Sequence, residues 1–306
     1  MATQRKVWGQ LTNFDIRLLR VFRAVVECGG FSAAEVELNI SRSAISISMS
    51  DLEERLGLRL CQRGRAGFSL TDEGDMVYQA SQQLMTSLED FRTQVNAIHA
   101  ELKGELSIGI TNNMVTLKHM KVTDALGKLK QLGPDVDVQI RMNPPNEIER
   151  SVLDGGLHVG VVPQLRPLPG LEYFDLYDEV SLLYCNSAHP FFAMDDKDIS
   201  EKLINEADAV SPAYAQIAET RVHYQNLKTT AIATDREGVA FLIHTGCYIG
   251  YLPVHYARQW VQSEDIRAIN PKKYHYSTDY QAVIRKGGRP NLILDTFLKE
   301  LLKEDS

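Results

Sequence analysis

Apolar residues at intervals of three and four open the chain. Phe14, Leu18, Leu19, Phe22, Val25 and Val26, followed by Cys28-Gly29-Gly30, predict a helix of about four turns ended by glycine. Ser32 is placed to cap a second helix through Ala33, Ala34, Val36 and Leu38, whose alanines let a neighbouring helix come close. The next stretch, SRSAISISMSDLEERLG at residues 41 to 57, alternates polar and apolar positions like a half-buried strand. A strand would end at Met49, whereas Ile45, Met49, Leu52 and Leu56 keep one helical stripe for about three turns. The segment is therefore expected as one helix starting at Arg42, capped by Ser41 and stopped by Gly57. Ile47 then lies about 200° around from Ile45, at 100° per residue, and faces outward beside Arg42, Ser43 and Ser46.

Beyond Gly57, LRLCQRGRAGFSLTDEG reads as a two-stranded hairpin around Gly-Arg-Ala-Gly, with Thr71 capping a further helix. Helix, tight turn, helix and hairpin in that order form a winged helix-turn-helix. In that motif the second helix enters the major groove, and Arg63 and Arg65 on the wing meet phosphates or a narrow minor groove. The plainer alternative for the hairpin is a solvated surface turn.

From Asp72 to about Leu102 there is no proline, and Val77, Ser81, Leu84, Leu88, Phe91, Val95 and Ile98 form a heptad seam with one polar break. At 1.5 Å per residue such a helix is about 45 Å long, more than a small head can cover. The seam is expected to pair with a second copy; the alternative is packing on the chain's own C-terminal part.

Lys103-Gly104 opens a different pattern. GELSIGIT, VDVQIRM and LHVGVVP read as strands separated by the helical LKHMKVTDALGKLKQL and NEIERSVLDGG. VSLLYCN, a weak strand near ADAVS, TTAIAT and CYIGYLP continue the alternation, with helices at KDISEKLIN, SPAYAQIAETRVHYQNL and DREGVAFLIHT. This order predicts an α/β fold with a mainly parallel sheet in two similar lobes. The expected division is a DNA-binding domain at 1–71, a dimerisation linker helix at 72–102 and a two-lobed domain at 103–306. Lobe one would hold 103–163 and 267–306, and lobe two 164–266, with the chain crossing near Pro163 and returning near Ile266.

Composition sharpens this division. The formal charge of -7 looks wrong for a nucleic-acid binder, but residues through Thr71 carry +3 and the remainder -10. A small basic module thus precedes a large acidic one, the asymmetry of a nucleic-acid-binding head on a different body. Gly238 to Ala257 lacks Asp, Glu, Lys and Arg, yet Gly246, Gly250, Pro253, His244 and His255 argue against a membrane span. The N-terminus has no apolar core of a signal peptide, which favours a cytoplasmic protein. Cys28, Cys61, Cys185 and Cys247 have neither CxxC nor metal-ligand spacing, so no disulfide framework, metal or resident cofactor is expected.

At residues 14 to 74 the chain resembles the LysR-type transcriptional regulators. Phe31-Ser32-Ala33-Ala34, Ser41, Ala44-Ile45-Ser46, Leu52-Glu53, Leu56-Gly57, Leu60, Arg63, Leu70-Thr71 and Gly74 carry the likeness. Cys61 and Ala66 depart from it, the latter shifting phosphate contact toward Arg65. The resemblance implies a base-contacting face of Arg42, Ser43, Ala44, Ser46 and Ile47. Arg42 would meet guanine or a nearby phosphate, Ser43 and Ser46 base edges or phosphate, and Ile47 a thymine methyl. For Ile47 the plain alternative is a lone exposed apolar residue. The likeness also implies homodimers that assemble as homotetramers on double-stranded operator DNA, with RNA polymerase as a further partner.

The C-terminal half resembles the family's effector domain, a type 2 periplasmic-binding-protein-like fold, through GELSIGIT, LDGGLHVGVV, AHP and GVAFLIHTGCYIGYLP. His158 stands where an acidic residue is usual. Ligands of such folds lie outside the carboxyl ends of the strands. That rule selects Thr111, Asn112 and Asn113 at a helix N-terminus suited to an anion, then Pro163, Gln164, Ser211, Tyr214, Thr234 and Asp235. Each has a plain alternative as a cap or turn former. Asp235 beside an anion site is contradictory unless it caps its helix or meets an ammonium, the latter favouring an amino-acid-like effector; the sequence leaves an anionic and an amino-acid-like effector both open. No GxSxG, phosphate loop or HExxH accompanies these residues, so a regulator rather than an enzyme is expected. The other readings are a ligand-independent architectural DNA-binding protein and, more remotely, a metabolite-processing enzyme.

Overall fold

The computed structural model describes residues 9–64, 67–98, 102–111, 114–117, 120–213, 218–288 and 290–303. The chain divides into two compact units, Met1–Leu88 and Glu89–Ser306.

The first unit holds α1 (Asn13–Glu27), α2 (Phe31–Leu38), α3 (Arg42–Leu56), the strands β1 (Cys61–Gly64) and β2 (Gly67–Leu70), and the first part of α4 (Asp72–Ile98). Ser41 caps α3 through the Ala44 N–H, and Gly57 ends it at φ 66, as its sequence requires. Helix α2 is a correction: it starts at Phe31 behind Gly30, so Ser32 lies inside its first turn and caps nothing. Phe22, Val25, Ala34, Ile45, Met49, Leu52 and Leu60 form the buried core. Strands β1 and β2 pair antiparallel, with Arg63 opposite Phe68.

Helix α4 begins where Thr71 accepts a hydrogen bond from the Gly74 N–H at 2.9 Å. A Cβ at Gly74 would lie 1.9 Å from the Leu60 carbonyl oxygen, so glycine is what lets α4 approach so closely. Val77, Tyr78, Leu84, Met85 and Leu88 consequently pack on the head core, and Ser81 is buried. The expectation of a free seam from Val77 is therefore corrected: only from Phe91, which is 62% exposed, and Val95, 39% exposed, is the stripe open.

The second unit contains the end of α4, β3 (Gly104–Ile110), a 3-10 turn at Met114–Thr116, α5 (Lys121–Leu132), β4 (Val136–Met142), α6 (Pro145–Leu153) and β5 (Val159–Pro163). It continues with β6 (Leu171–Asn186), α7 (Glu201–Glu206), β7 (Asp208–Pro212), α8 (Ala218–Gln225), β8 (Lys228–Ala233), α9 (Arg236–His244) and β9 (Gly250–Pro253). The last elements are α10 (Val254–Gln262), β10 (Ile266–Ala268), β11 (His275–Arg285) and α11 (Leu292–Leu301).

The main sheet runs β10-β6-β11-β5-β3-β4, with β9 also on β6, while β7 and β8 pair separately. Strand β3 is parallel to β4 and β5, and β7 is parallel to β8, as the βαβ pattern predicts. The long strands β6 and β11 instead run antiparallel. Residues Tyr280–Ile284 of β11 pair with β5, whereas the far half of β6 pairs with β9 and β10. The chain thus passes between lobes inside β6 and β11, not at Pro163 and Ile266. The charges of LEYFDLYD mask the first half of β6 in the sequence.

Leu106, Ile108, Leu129, Val159, Ile293 and Phe297 pack the first lobe, and Val239, Ile243, Leu252 and Ala257 contribute to the second. The Ser107 N–H donates to His158 Nδ1 at 2.9 Å, with the Ser107 hydroxyl at 2.8 Å from the same nitrogen. The His158 imidazole thus accepts a backbone hydrogen bond at a position where the resemblance led to the expectation of a carboxylate. Among the described residues, no helix is long and apolar enough to cross a membrane.

Candidate functional site

In the head, the α3 stripe divides two faces. Ile45, Met49 and Leu52 are wholly buried, while Arg42 and Ser43 are exposed, Ala44 and Ser46 half-buried and Ile47 63% exposed. The five residues therefore share one solvent-facing surface at the capped N-terminal end of the helix, where free amides and the helix dipole favour phosphate. Arg63 lies on β1 of the wing. Arg65 lies outside the described residues.

In the second unit, a cleft of about 270 Å³ opens at the carboxyl ends of β3, β4 and β5. One wall consists of Thr111, Met142, Asn143, Pro144, Pro145, Pro163, Gln164 and Leu165. The opposite wall includes Val210, Pro212, Thr220, Tyr224, Thr234, Asp235, Arg236, Val239, Tyr251 and Pro253. Glu179 and Ser181 from β6, with Tyr276, Thr278 and Tyr280 from β11, lie between them.

The cleft is built around a buried ion pair. Arg236 Nη2 contacts Glu179 Oε1 and donates to the Tyr280 hydroxyl at 2.6 Å. Their side chains are 13% and 2% exposed, so each charge depends on the other. His255 Nε2 lies 2.8 Å from the second Glu179 oxygen. Tyr280 stacks on Tyr177 at 5.3 Å, and Tyr224, Tyr251 and Tyr276 form an aromatic cluster at the other end. Burial pushes the Tyr177 and Tyr251 phenols well above their ordinary range, which keeps them neutral.

Thr111, Pro163, Gln164, Thr234 and Asp235 line this cleft together. Thr111 is buried, and its hydroxyl donates to Met114 Sδ at 3.1 Å. Asp235 caps α9 by accepting the Gly238 N–H at 2.7 Å while also facing the cleft. Ser211 is a correction: Val210 and Pro212 face the cleft, so the period-two geometry of β7 turns Ser211 away, and its hydroxyl meets Thr229 Oγ1 at 2.7 Å. A second correction concerns the anion site. The residues after β3 precede a three-residue 3-10 turn, and α5 begins only at Lys121. Asn112, Asn113 and Tyr214 lie outside the described residues.

Glu179, Arg236, Tyr280 and His255 escaped the sequence reading. Arg236 did leave a signal: it opens α9, where the helix dipole disfavours a cation, so its position needs another cause.

Family models match both units. "Bacterial regulatory helix-turn-helix protein, lysR family" covers residues 16–75, and "LysR substrate binding domain" covers residues 99–306. The HTH-type transcriptional activator BauR of Pseudomonas aeruginosa is 56% identical over 291 residues, spanning 95% of each chain. A probable regulator, LrrA of Synechococcus elongatus, is 33% identical over 180 residues, covering 58% of this chain and 59% of that one. Full-length CbnR, a LysR family transcriptional regulator solved with its target DNA, shares the fold at a TM-score of 0.64 and 19% identity, over 94% of this chain and 98% of that one. These relatives are regulators rather than enzymes. With both of its units matched, the chain belongs to the LysR family of DNA-binding transcriptional regulators and carries that family's effector-binding domain.

Proposed function

We propose that the chain reads operator DNA through Arg42, Ser43, Ala44, Ser46 and Ile47, with Arg63 and Arg65 on flanking backbone. Its cleft then binds a small amino-acid-like metabolite whose occupancy alters the DNA complex. The observation that carries the ligand class is the charge of the cleft. Glu179 already takes Arg236, and Asp235 adds a further carboxylate to the lining. A cationic group on the ligand offsets that excess. Of the two ligand types expected from the sequence, the amino-acid-like one suits this lining better than a plain anion. A volume of about 270 Å³ suits a small metabolite.

The exposed end of the α4 stripe, Phe91 and Val95, supports pairing with a second copy. Two heads then read two half-sites, and a ligand that prefers one lobe arrangement changes their spacing, the DNA bend or contact with RNA polymerase. The name of the 56% identical relative, a transcriptional activator, supports activation.

Thermal-shift screening tests the reading. The panel is the L-amino acids with matched amines and carboxylic acids lacking one of the two groups, followed by operator binding with and without each hit. Hits confined to compounds with an ammonium group, whose affinity changes on DNA, are expected. Hits confined to the plain carboxylic acids overturn the ligand class, and hits uncoupled from DNA overturn the sensing role.

A further inference from the structure

Glu179 is 2% exposed, and both of its oxygens are occupied. One faces Arg236 and the other faces His255 Nε2 at 2.8 Å. His255 is the second residue of α10, directly after the cleft residue Pro253 and Val254. The other ring nitrogen, Nδ1, lies 2.7 Å from Thr116 Oγ1. Thr116 ends the 3-10 turn that follows β3, on the opposite side of the cleft. A continuous path therefore runs from Thr116 in the first lobe, through His255 in the second, to Glu179 and Arg236, ending at Tyr280 on β11.

We infer that His255 is a positioning residue: it holds the Glu179–Arg236 pair in place and, through Thr116, ties that pair to the opposite lobe, so that cleft opening and the state of the pair are coupled. This inference rests on the cleft as the effector site and adds how its closure is held. An imidazole suits the task because its two nitrogens point to opposite partners. With Nε2 on the carboxylate, Nδ1 remains to bond the Thr116 hydroxyl, which can donate or accept. Thr116 is exposed, so water replaces its bond at little cost when the lobes separate. Glu179 is buried and has no such substitute, so the tie is weak at Thr116 and strong at the pair.

Hydrogen exchange on the full chain without ligand tests the coupling. Thr116→Val removes one hydroxyl from an exposed side chain and leaves the fold intact. It is expected to raise amide exchange roughly two- to tenfold both at residues 114–117 and in the first turns of α10, the range set by one net hydrogen bond. His255→Leu should do the same, and Thr116→Val/His255→Leu should exceed neither single variant, because both break one path. His255→Gln keeps a donor and an acceptor and should restore most of the protection. Glu179→Gln should loosen residues 114–117 although it touches none of them. Additive effects, or α10 exchange unchanged by Thr116→Val, overturn the inference. No ligand enters the measurement, so a cleft that binds no amino acid leaves the result readable and would instead count against the effector reading.

Discussion

The guanidinium of Arg55, in the last turn of α3, lies 2.5 Å and 3.0 Å from the two carboxylate oxygens of Asp15, in the first turn of α1. Asp15 also accepts from the Thr12 N–H and hydroxyl in a reciprocal cap, so one carboxylate closes the start of α1 and binds the end of α3 to it. Helix α3 is thereby fixed at the end remote from the residues proposed to read DNA. Arg55 further lies over the Phe14 ring at 5.6 Å.

This pair makes the head acid-sensitive. Hydrogen bonds from Arg55 and then Thr12 hold the Asp15 carboxyl at about 2, below its ordinary 3.8. A lowered folded value contributes stability that is present above the unfolded value and is lost as pH falls through the folded one. Head stability should therefore decline from about pH 4 toward pH 2. Asp15→Asn should be less stable at neutral pH and show a flatter dependence across that window, read by chemical denaturation at stepped pH. An unchanged slope would show that other carboxylates dominate.

Ile47 tests the proposed DNA-reading face. It contributes nothing to the buried stripe, so Ile47→Ala should leave the melting temperature nearly unchanged. Loss of apolar contact with a thymine methyl costs on the order of 1 kcal/mol at one base pair. In vitro selection should then show relaxed preference at one position per half-site; an identical selected motif would remove Ile47 from base reading. Arg42→Ala should instead weaken binding more broadly and reduce its salt dependence if Arg42 contacts phosphate.

The two faces differ in how far the sequence revealed them. The exposed face of α3 is local: four apolar residues over three turns fix which side is buried, and the exposure of Ile47 follows from helical geometry alone. Part of the cleft was legible for a similar reason, since Thr111, Pro163, Thr234 and Asp235 sit at strand ends where α/β folds bind ligands. Glu179 and Tyr280 were not, because they lie in mid-strand and meet only when β6 and β11, about a hundred residues apart, pair antiparallel. Ser211 was expected just beyond a strand end, but β7 runs on to Pro212, so Ser211 lies within the strand on the face turned from the cleft.

The buried pair should be costly to break and cheaper to replace. Arg236→Met leaves the Glu179 carboxylate with a lost partner in a nearly closed site, and should cost about 3 kcal/mol of stability. Glu179→Gln/Arg236→Met removes both charges and should recover much of that loss. Denaturant titration of both variants separates the outcomes. Equal destabilisation would mean that packing, rather than an uncompensated charge, sets the cost.

Helix α4 changes role along its length, and substitutions on either side of Leu88 should separate the roles. Met85 is 7% exposed in the head core, so Met85→Ala should destabilise that unit by about 2–3 kcal/mol through the cavity it leaves. Phe91 and Val95 are open on the same helix. Phe91→Glu/Val95→Glu should therefore keep the head's stability within about 0.5 kcal/mol while shifting the chain toward monomer in sedimentation at fixed concentration. Two like charges facing their counterparts across a two-fold seam repel, and the lost apolar burial adds to the effect. Half-site binding should survive in the doubly substituted chain, because each head keeps its own core and recognition helix, but cooperative binding to a paired operator should be lost. A variant that still sediments as wild type would place the oligomer contact elsewhere on the second unit and leave the open stripe of α4 without a partner.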